Sequence, residues 1–339
     1  MKIWSLISLL VPATNLFLTV NVSASELSDK PASPYQKELD SAVSTEIDYL
    51  LWFSNQDGLH SPTVATGKSP NLPSKWSSGV RAAIAGQRAH WNTELCYTYY
   101  ATRSTDTAHA DIETILSSTP STAGIFKVRE MWNLHFNRLD LQLGRKILFG
   151  DHFLLEPFFG VEGLGIFQKL NLTTSTVFLD LTTALQATNV VDSKNKNSVL
   201  GIGPRAGVKA NLDLKGGFGL YGMLGVNILW NKFIIKQDYN ETDYYSSSSP
   251  TTLVDQVKSL SQGGSVFNAD LEIGFNWRYL FKTSNLEMTL KAGWEQHYYI
   301  DIVRFCDFYL QQTSLGTAAY STNGNLALSG FTVGMFLRY

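Results

Sequence analysis

The chain has 339 residues, with 27 Lys and Arg against 29 Asp and Glu, a net charge of -2 and a mean hydropathy of -0.06. That balance excludes a nucleic-acid partner, which would need a basic patch. The low hydropathy excludes a bundle of membrane-spanning helices. The uncharged run Gly216 to Asn231 is too short for a span of ~20 apolar residues, and Gly216, Gly217, Gly219, Gly222 and Gly225 disfavour helix within it.

The chain begins with Lys2 and an apolar stretch from Ile3 to about Val22, followed by the small-residue site Val22-Ser23-Ala24. This is the layout of a secretory signal peptide, predicted over 1–24. Segment 25–44, with Pro31 and Pro34, reads as a polar periplasmic lead-in, and 45–339 as the folded domain.

About ten alternating segments follow. They run Glu46 to Phe53, Ser77 to Arg88, Trp91 to Arg103, Phe126 to Leu143, Asp151 to Phe167, Asn197 to Asn211, Gly217 to Gln237, Val266 to Phe281, Asn285 to Phe305 and Asn323 to Tyr339. Apolar residues recur at every second position, as in Phe267, Leu271, Ile273, Phe275, Trp277 and Tyr279, which is the period of a strand with one apolar face. In the fourth segment the phase changes, from Trp132, Leu134 and Phe136 to Leu139, Leu141 and Leu143, and a β-bulge near Asn137-Arg138 is expected. Leu170 to Leu172 and Val177 to Leu181 allow a further hairpin, for twelve strands, or a short helix plugging the lumen.

Connections alternate in length. Ala89-His90, Gly144 to Gly150, Leu212 to Gly216 and Lys282 to Ser284 are short. Ser54 to Lys75, Ser104 to Ala123 and Asp238 to Gly264 are long and polar. Short periplasmic turns and long outer loops mark bacterial outer-membrane barrels, and an even strand number puts both termini in the periplasm. The chain ends on an alternating strand with Phe331, Val333, Met335, Leu337 and Tyr339 in phase and Phe336 as the exception. A closed barrel removes the edge that such a strand would otherwise expose. The expected fold is therefore an all-β transmembrane antiparallel barrel of about 10–12 strands in the bacterial outer membrane, with the lipid bilayer as its partner.

Charges on a lipid face cost ~2–4 kcal/mol near the midplane, so the charged residues of these strands are expected to point inward. They are Arg81, Glu94, Glu156, Glu162, Arg205, Lys209, Asp270, Glu272, Arg278, Lys291 and Glu295, the candidate pore-lining set. With both signs present they can line a water-filled path that tunes selectivity, or seal the interior by pairing. Eight-stranded barrels are filled by side chains and barrels of about sixteen leave a channel; ten to twelve strands leave both readings open.

Catalytic signatures such as HExxH, GxSxG and the P-loop are absent, and no metal site or cofactor is expected. Gly201-Ile202-Gly203-Pro204-Arg205-Ala206-Gly207 reads as a barrel strand. His109, with Asp106, Asp111 and Glu113 in an expected outer loop, keeps open a loop-sited hydrolase. Cys96 and Cys306 fall at opposite ends of their strands, so no bond between them is expected.

Several segments together resemble the Legionella-type major outer-membrane proteins, a family that includes the major-outer-membrane-protein-like porins of chlamydia-related bacteria. They are Glu46 to Trp52, Leu139 to Arg145, Leu155 to Gly160, Gly201 to Gly207, Gly293 to Gln296 and Leu326 to Gly334. The resemblance implies a pore-forming surface barrel, non-enzymatic, passing small solutes and ions by diffusion. A non-conducting adhesin or structural barrel is the alternative, and the oligomeric state is open. The resemblance of the last strand to those of other barrels implies that Phe331, Val333, Met335, Leu337 and Tyr339 form the signal read by the barrel-assembly machinery. The classical chlamydial members are cysteine-rich, and this chain departs from them with two cysteines.

Overall fold

The structure is a computed structural model that describes residues 42–57, 73–111, 122–180, 185–214, 216–245, 251–281, 286–308 and 319–339. These form β1 (Ala42–Gln56), β2 (Trp76–Arg88), β3 (Trp91–Asp111), β4 (Thr122–Arg145), β5 (Ile147–Phe149), β6 (Phe153–Asp180), β7 (Leu185–Asp213), β8 (Phe218–Tyr245), β9 (Thr251–Phe281), β10 (Leu286–Phe308) and β11 (Ala319–Arg338). From β1 to β4 and from β5 to β11 neighbours in sequence pair antiparallel, β1 pairs β11, and β4 pairs β6 directly, so among the described residues ten strands close into a ring. β5 continues β4 after a break at Lys146 and pairs with the start of β6. The last strand closes against the first along Ser44↔Arg338 to Gln56↔Leu326, and the Tyr339 amide donates to the Val43 carbonyl at 2.9 Å.

Both ends of the described chain lie at the end of the barrel that carries the tight turns. Gly150, Gly216 and Gly217 there have φ of 65°, 75° and 82°, and Ala89 takes φ 51° in the β2–β3 turn. Short turns and termini at one end identify it as the periplasmic end. The strands of β6 to β9 are 28, 29, 28 and 31 residues long. A membrane strand needs only ~9–11 residues. At ~3.3 Å per residue and ~40° tilt, 28 residues rise roughly 70 Å, so the wall stands well above the lipid.

This length corrects several expectations. Leu170 to Leu172 and Val177 to Leu179 continue β6 and pair throughout with β7, so they form no extra hairpin and the ring of described strands numbers ten. Most of the expected loop 238–264 is paired strand of β8 and β9. Asp106, His109 and Asp111 belong to β3 and pair with β4 rather than standing in a loop; Glu113 lies outside the described residues. β1 takes in residues 42–44, which shortens the lead-in; its remainder and the leader 1–24 lie outside the described residues. The bulge expected at Asn137-Arg138 is absent. β4 keeps register with both neighbours there, because Trp132, Leu134 and Phe136 point into the barrel while Leu139 and Leu141 point out. A register shift does occur in β10 between Tyr299 and Val303, at Asp301 with φ 57°. The Asp301 amide, freed from the ladder, donates to Asn325 Oδ1 at 3.0 Å.

The outward face in the lower half is apolar. Ile47, Tyr49, Leu51, Val80, Leu224, Val226, Ile228, Ile273 and Phe275 are all exposed. Phe53, Trp76, Trp294 and Phe331 pack into an aromatic cluster across the closing seam, with ring centroids 4.9–6.2 Å apart. Ile273 lies midway along the lipid-facing run of β9, from Phe267 to Phe281, and is 63% exposed. Ile273→Arg is expected to destabilise the barrel by about 2–4 kcal/mol, measured as a lower urea midpoint for folding into lipid vesicles.

Candidate functional site

Inside the wall the side chains form successive layers. Nearest the periplasm is a vestibule, a cavity of about 270 Å³ lined by residues including Glu46, Glu94, Lys209, Tyr221, Lys291 and Arg338, and by Phe336, the out-of-phase residue of the last strand. Its charges pair along the wall. Lys209 Nζ donates to Glu94 at 2.7 Å, Asn92 to Glu156 at 3.0 Å, and Arg278 meets Glu287 at 3.1 Å. Lys291 pairs with Glu46, with Asp48 at 3.1 Å and with Glu272 at 3.9 Å. Tyr221 lies flat over the glycines of β9 and β10: a Cβ on Gly274 would meet its ring at 2.6 Å and one on Gly293 its hydroxyl at 2.5 Å.

Above it lies a buried ionic layer that crosses the barrel. Arg138, on β4, meets Asp140 at 2.8 Å, Glu162 on β6 at 3.3 Å and Asp270 on β9 at 2.9 Å. Arg205, on β7, meets Asp140 and Asp270 at 2.9 Å each. His297, on β10, bonds Asp270 at 2.7 Å and Glu295 at 3.2 Å. Arg81, on β2, grips Glu295 with both terminal nitrogens at 2.7 and 2.6 Å and reaches Asp48 on β1 at 3.4 Å. Asn227 on β8 donates to Glu162 at 2.5 Å. The network therefore joins β1, β2, β4, β6, β7, β8, β9 and β10 through side chains.

An apolar plug covers this layer. Leu50, Trp52, Tyr100, Trp132, Leu134, Phe136, Leu164, Ile166, Val199, Leu229, Phe233, Val266, Tyr299, Ile302, Val303, Leu326 and Leu328 form one buried cluster. They come from every ring strand except β2, so the cluster spans the cross-section. Trp52 ties the two layers together: its ring lies 4.9 Å from that of His297 and 5.9 Å from the Arg81 guanidinium, while Tyr100 donates to its carbonyl at 3.2 Å. Outward of the plug, Gln168, Ser193, Asn195, Asn197 and Gln237 are again buried and polar.

All eleven candidate residues thus turn inward. Arg81, Glu162, Arg205, Asp270 and Glu295 meet in the ionic layer; Glu94, Glu156, Lys209, Glu272, Arg278 and Lys291 line the vestibule beneath it. Sequence reasoning missed Asp48, Arg138, Asp140 and His297, and it missed the plug. The signal was present in β4, where Trp132, Leu134, Phe136, Arg138, Asp140 and Gln142 share one phase once no bulge is assumed. Of the terminal set, Phe331, Val333, Met335 and Tyr339 are exposed and Leu337 half-buried. Cys96 is a buried free thiol paired in register with Asp140, and Cys306 is in register with Ser321 at the far end of β10. Among the described residues no cluster suited to a metal ion is found.

Removing one partner of a buried ion pair leaves uncompensated charge, at a cost of about 3–5 kcal/mol. Arg138→Ala, which leaves three carboxylates to Arg205, is expected to lose that much. Arg88→Ala at the exposed β2–β3 turn is expected to stay within about 0.5 kcal/mol. Urea titration of the detergent-folded barrel compares the two.

A family profile described as Legionella pneumophila major outer membrane protein precursor matches residues 42–339. No curated relative matches the chain. Among solved structures, similarity extends to the outer membrane protease OmpT of Escherichia coli, with 11% identity over 88% of this chain and 96% of that one and a TM-score of 0.42. A major outer membrane protein of Thermus thermophilus shares 12% identity over 88% and 99%, at a TM-score of 0.28. A FadL homologue of Pseudomonas aeruginosa shares 9% over 88% and 90%, at 0.26.

Proposed function

This chain belongs to the Legionella pneumophila major outer membrane protein family and resides in the bacterial outer membrane; from that premise we propose that it is a surface-exposed, non-enzymatic structural barrel whose lumen is closed at rest. The plug carries this reading. Leu50, Trp52, Tyr100, Leu134, Phe136, Ile166, Val199, Leu229, Phe233, Tyr299, Ile302 and Leu326 are 0% exposed, so among the described residues these plug positions offer no surface to water. Directly beneath, the arginines of the ionic layer are committed to carboxylates on neighbouring and opposite strands. A permeating ion would have to displace both layers. Buried charges held this way act as cross-struts that fix the ring's shape. The long wall above the membrane then presents its outer face to the surroundings.

The diffusion-pore reading draws support from a different observation, the charged vestibule open at the periplasmic end. In that reading the plug is a gate and solutes enter the vestibule before it opens. Single-channel recording in a planar bilayer separates the two. The closed barrel is expected to give a quiet baseline at moderate voltage with folded protein present. Recurrent stepwise openings of uniform size establish the pore instead.

A further inference from the structure

Above the apolar band, the outward face on one side of the barrel is basic. Lys169 on β6 pairs in register with Lys196 on β7, and Lys196 pairs with Lys236 on β8. Three lysines therefore stand side by side on adjacent strands, all exposed. Like charges directly opposite each other across a ladder are destabilising. The same row continues through Asn133 on β4 to Arg103 on β3, and exposed Arg129, Lys194 and Lys232 flank it. Carboxylates are few. Asp238 meets Lys196 at 3.6 Å, and Asp192 accepts a bond from Thr173 at 2.7 Å. Among the described residues Lys169 and Lys236 have no carboxylate partner.

The position of the row matters as much as its charge. Lys169 follows the exposed lipid-facing Phe167 by two residues, Lys232 follows Trp230 by two, and Lys196 stands four residues above Leu200. The first cations therefore occur where the apolar band stops, at the level of the outer-leaflet headgroups. The collar is one-sided: on β9 the matching outward positions are Ser259, Ser261, Gly263 and Ser265. A wall that needed only solubility would intersperse both signs.

We propose that this half-collar, centred on Lys169, Lys196 and Lys236, binds the phosphorylated, anionic headgroups of outer-leaflet glycolipid. A phosphate between adjacent lysines offsets their mutual repulsion while the acyl chains lie against Phe167, Leu200 and Trp230. The proposal rests on the barrel's orientation and not on whether its lumen conducts.

The test uses the full chain folded in neutral detergent, titrated with a bis-phosphorylated diacylated glucosamine glycolipid and with its dephosphorylated form. The wild type is expected to prefer the phosphorylated form, and K169Q/K196Q/K236Q to bind it roughly a hundredfold more weakly, the effect of three surface lysines against anionic lipid. Without glycolipid the variant is expected to keep the wild-type urea midpoint, since relief of the repulsion among the lysines offsets loss of the exposed Lys196–Asp238 pair. Equal binding of the two glycolipid forms, or unchanged affinity in the triple variant, overturns the proposal. So does tight lysine-dependent binding of a soluble sulfated polysaccharide where the glycolipid does not bind.

Discussion

The interior depends on one arrangement: two arginines, Arg138 and Arg205, held among Asp140, Glu162 and Asp270, all buried at the inner end of the vestibule. Ten strands enclose a lumen little wider than the side chains lining it. Charges placed there cannot stay solvated, so each needs partners. Sharing three carboxylates between two guanidiniums gives every member more than one partner. It also links β4 to β9 and β7 to β9 across the lumen, contacts that the hydrogen-bonded ladder itself cannot make. Such a network is weak evidence of stability relative to an apolar fill, but it is specific: a register slip of one residue would turn these charges to the lipid.

The plug and the ionic layer each require the other. An apolar layer placed directly against water would gain little; resting on paired charges, its lower surface meets groups that are already neutralised. Conversely, the plug lowers the local dielectric and strengthens every pair beneath it. Trp52 sits at the junction, its ring tilted against that of His297 and lying beneath the Arg81 guanidinium on one side and packed into the cluster on the other. The plug and the ionic layer are thus two layers whose energies are coupled.

The lipid face was legible because it follows a single rule. Along β9, Phe267, Leu271, Ile273 and Phe275 alternate with Asn268, Asp270, Glu272 and Asn276, and each faces the side its polarity demands. The inward charges were legible for the same reason. The plug was not, because it reverses the rule at mid-height. In β1, Leu50 and Trp52 alternate with Leu51 and Phe53, so both faces are apolar and period two carries no information there. In β4 the same reversal looked like a slip of register and suggested a bulge. The heights of β6 and β7 were hidden differently. Above the membrane Asn171, Thr173, Thr174 and Ser175 on β6 and Asp192, Ser193 and Lys194 on β7 put polar residues on both faces, and a strand polar on both sides reads as a loop.

The reversal also bears on how the chain reaches its membrane. A barrel closed by apolar residues over its whole interior would need strands apolar on both faces, and such runs approach the hydrophobic length at which the inner membrane retains a segment as a helix. Here the both-face apolar stretch is confined to a few residues per strand. It lies between charged positions such as Asp48 below and polar ones such as Ser54 above in β1, and between Arg138 and Glu130 in β4. A thin apolar layer crosses the interior, and the paired charges and amides on either side of it keep the unfolded chain too polar to stop on the way.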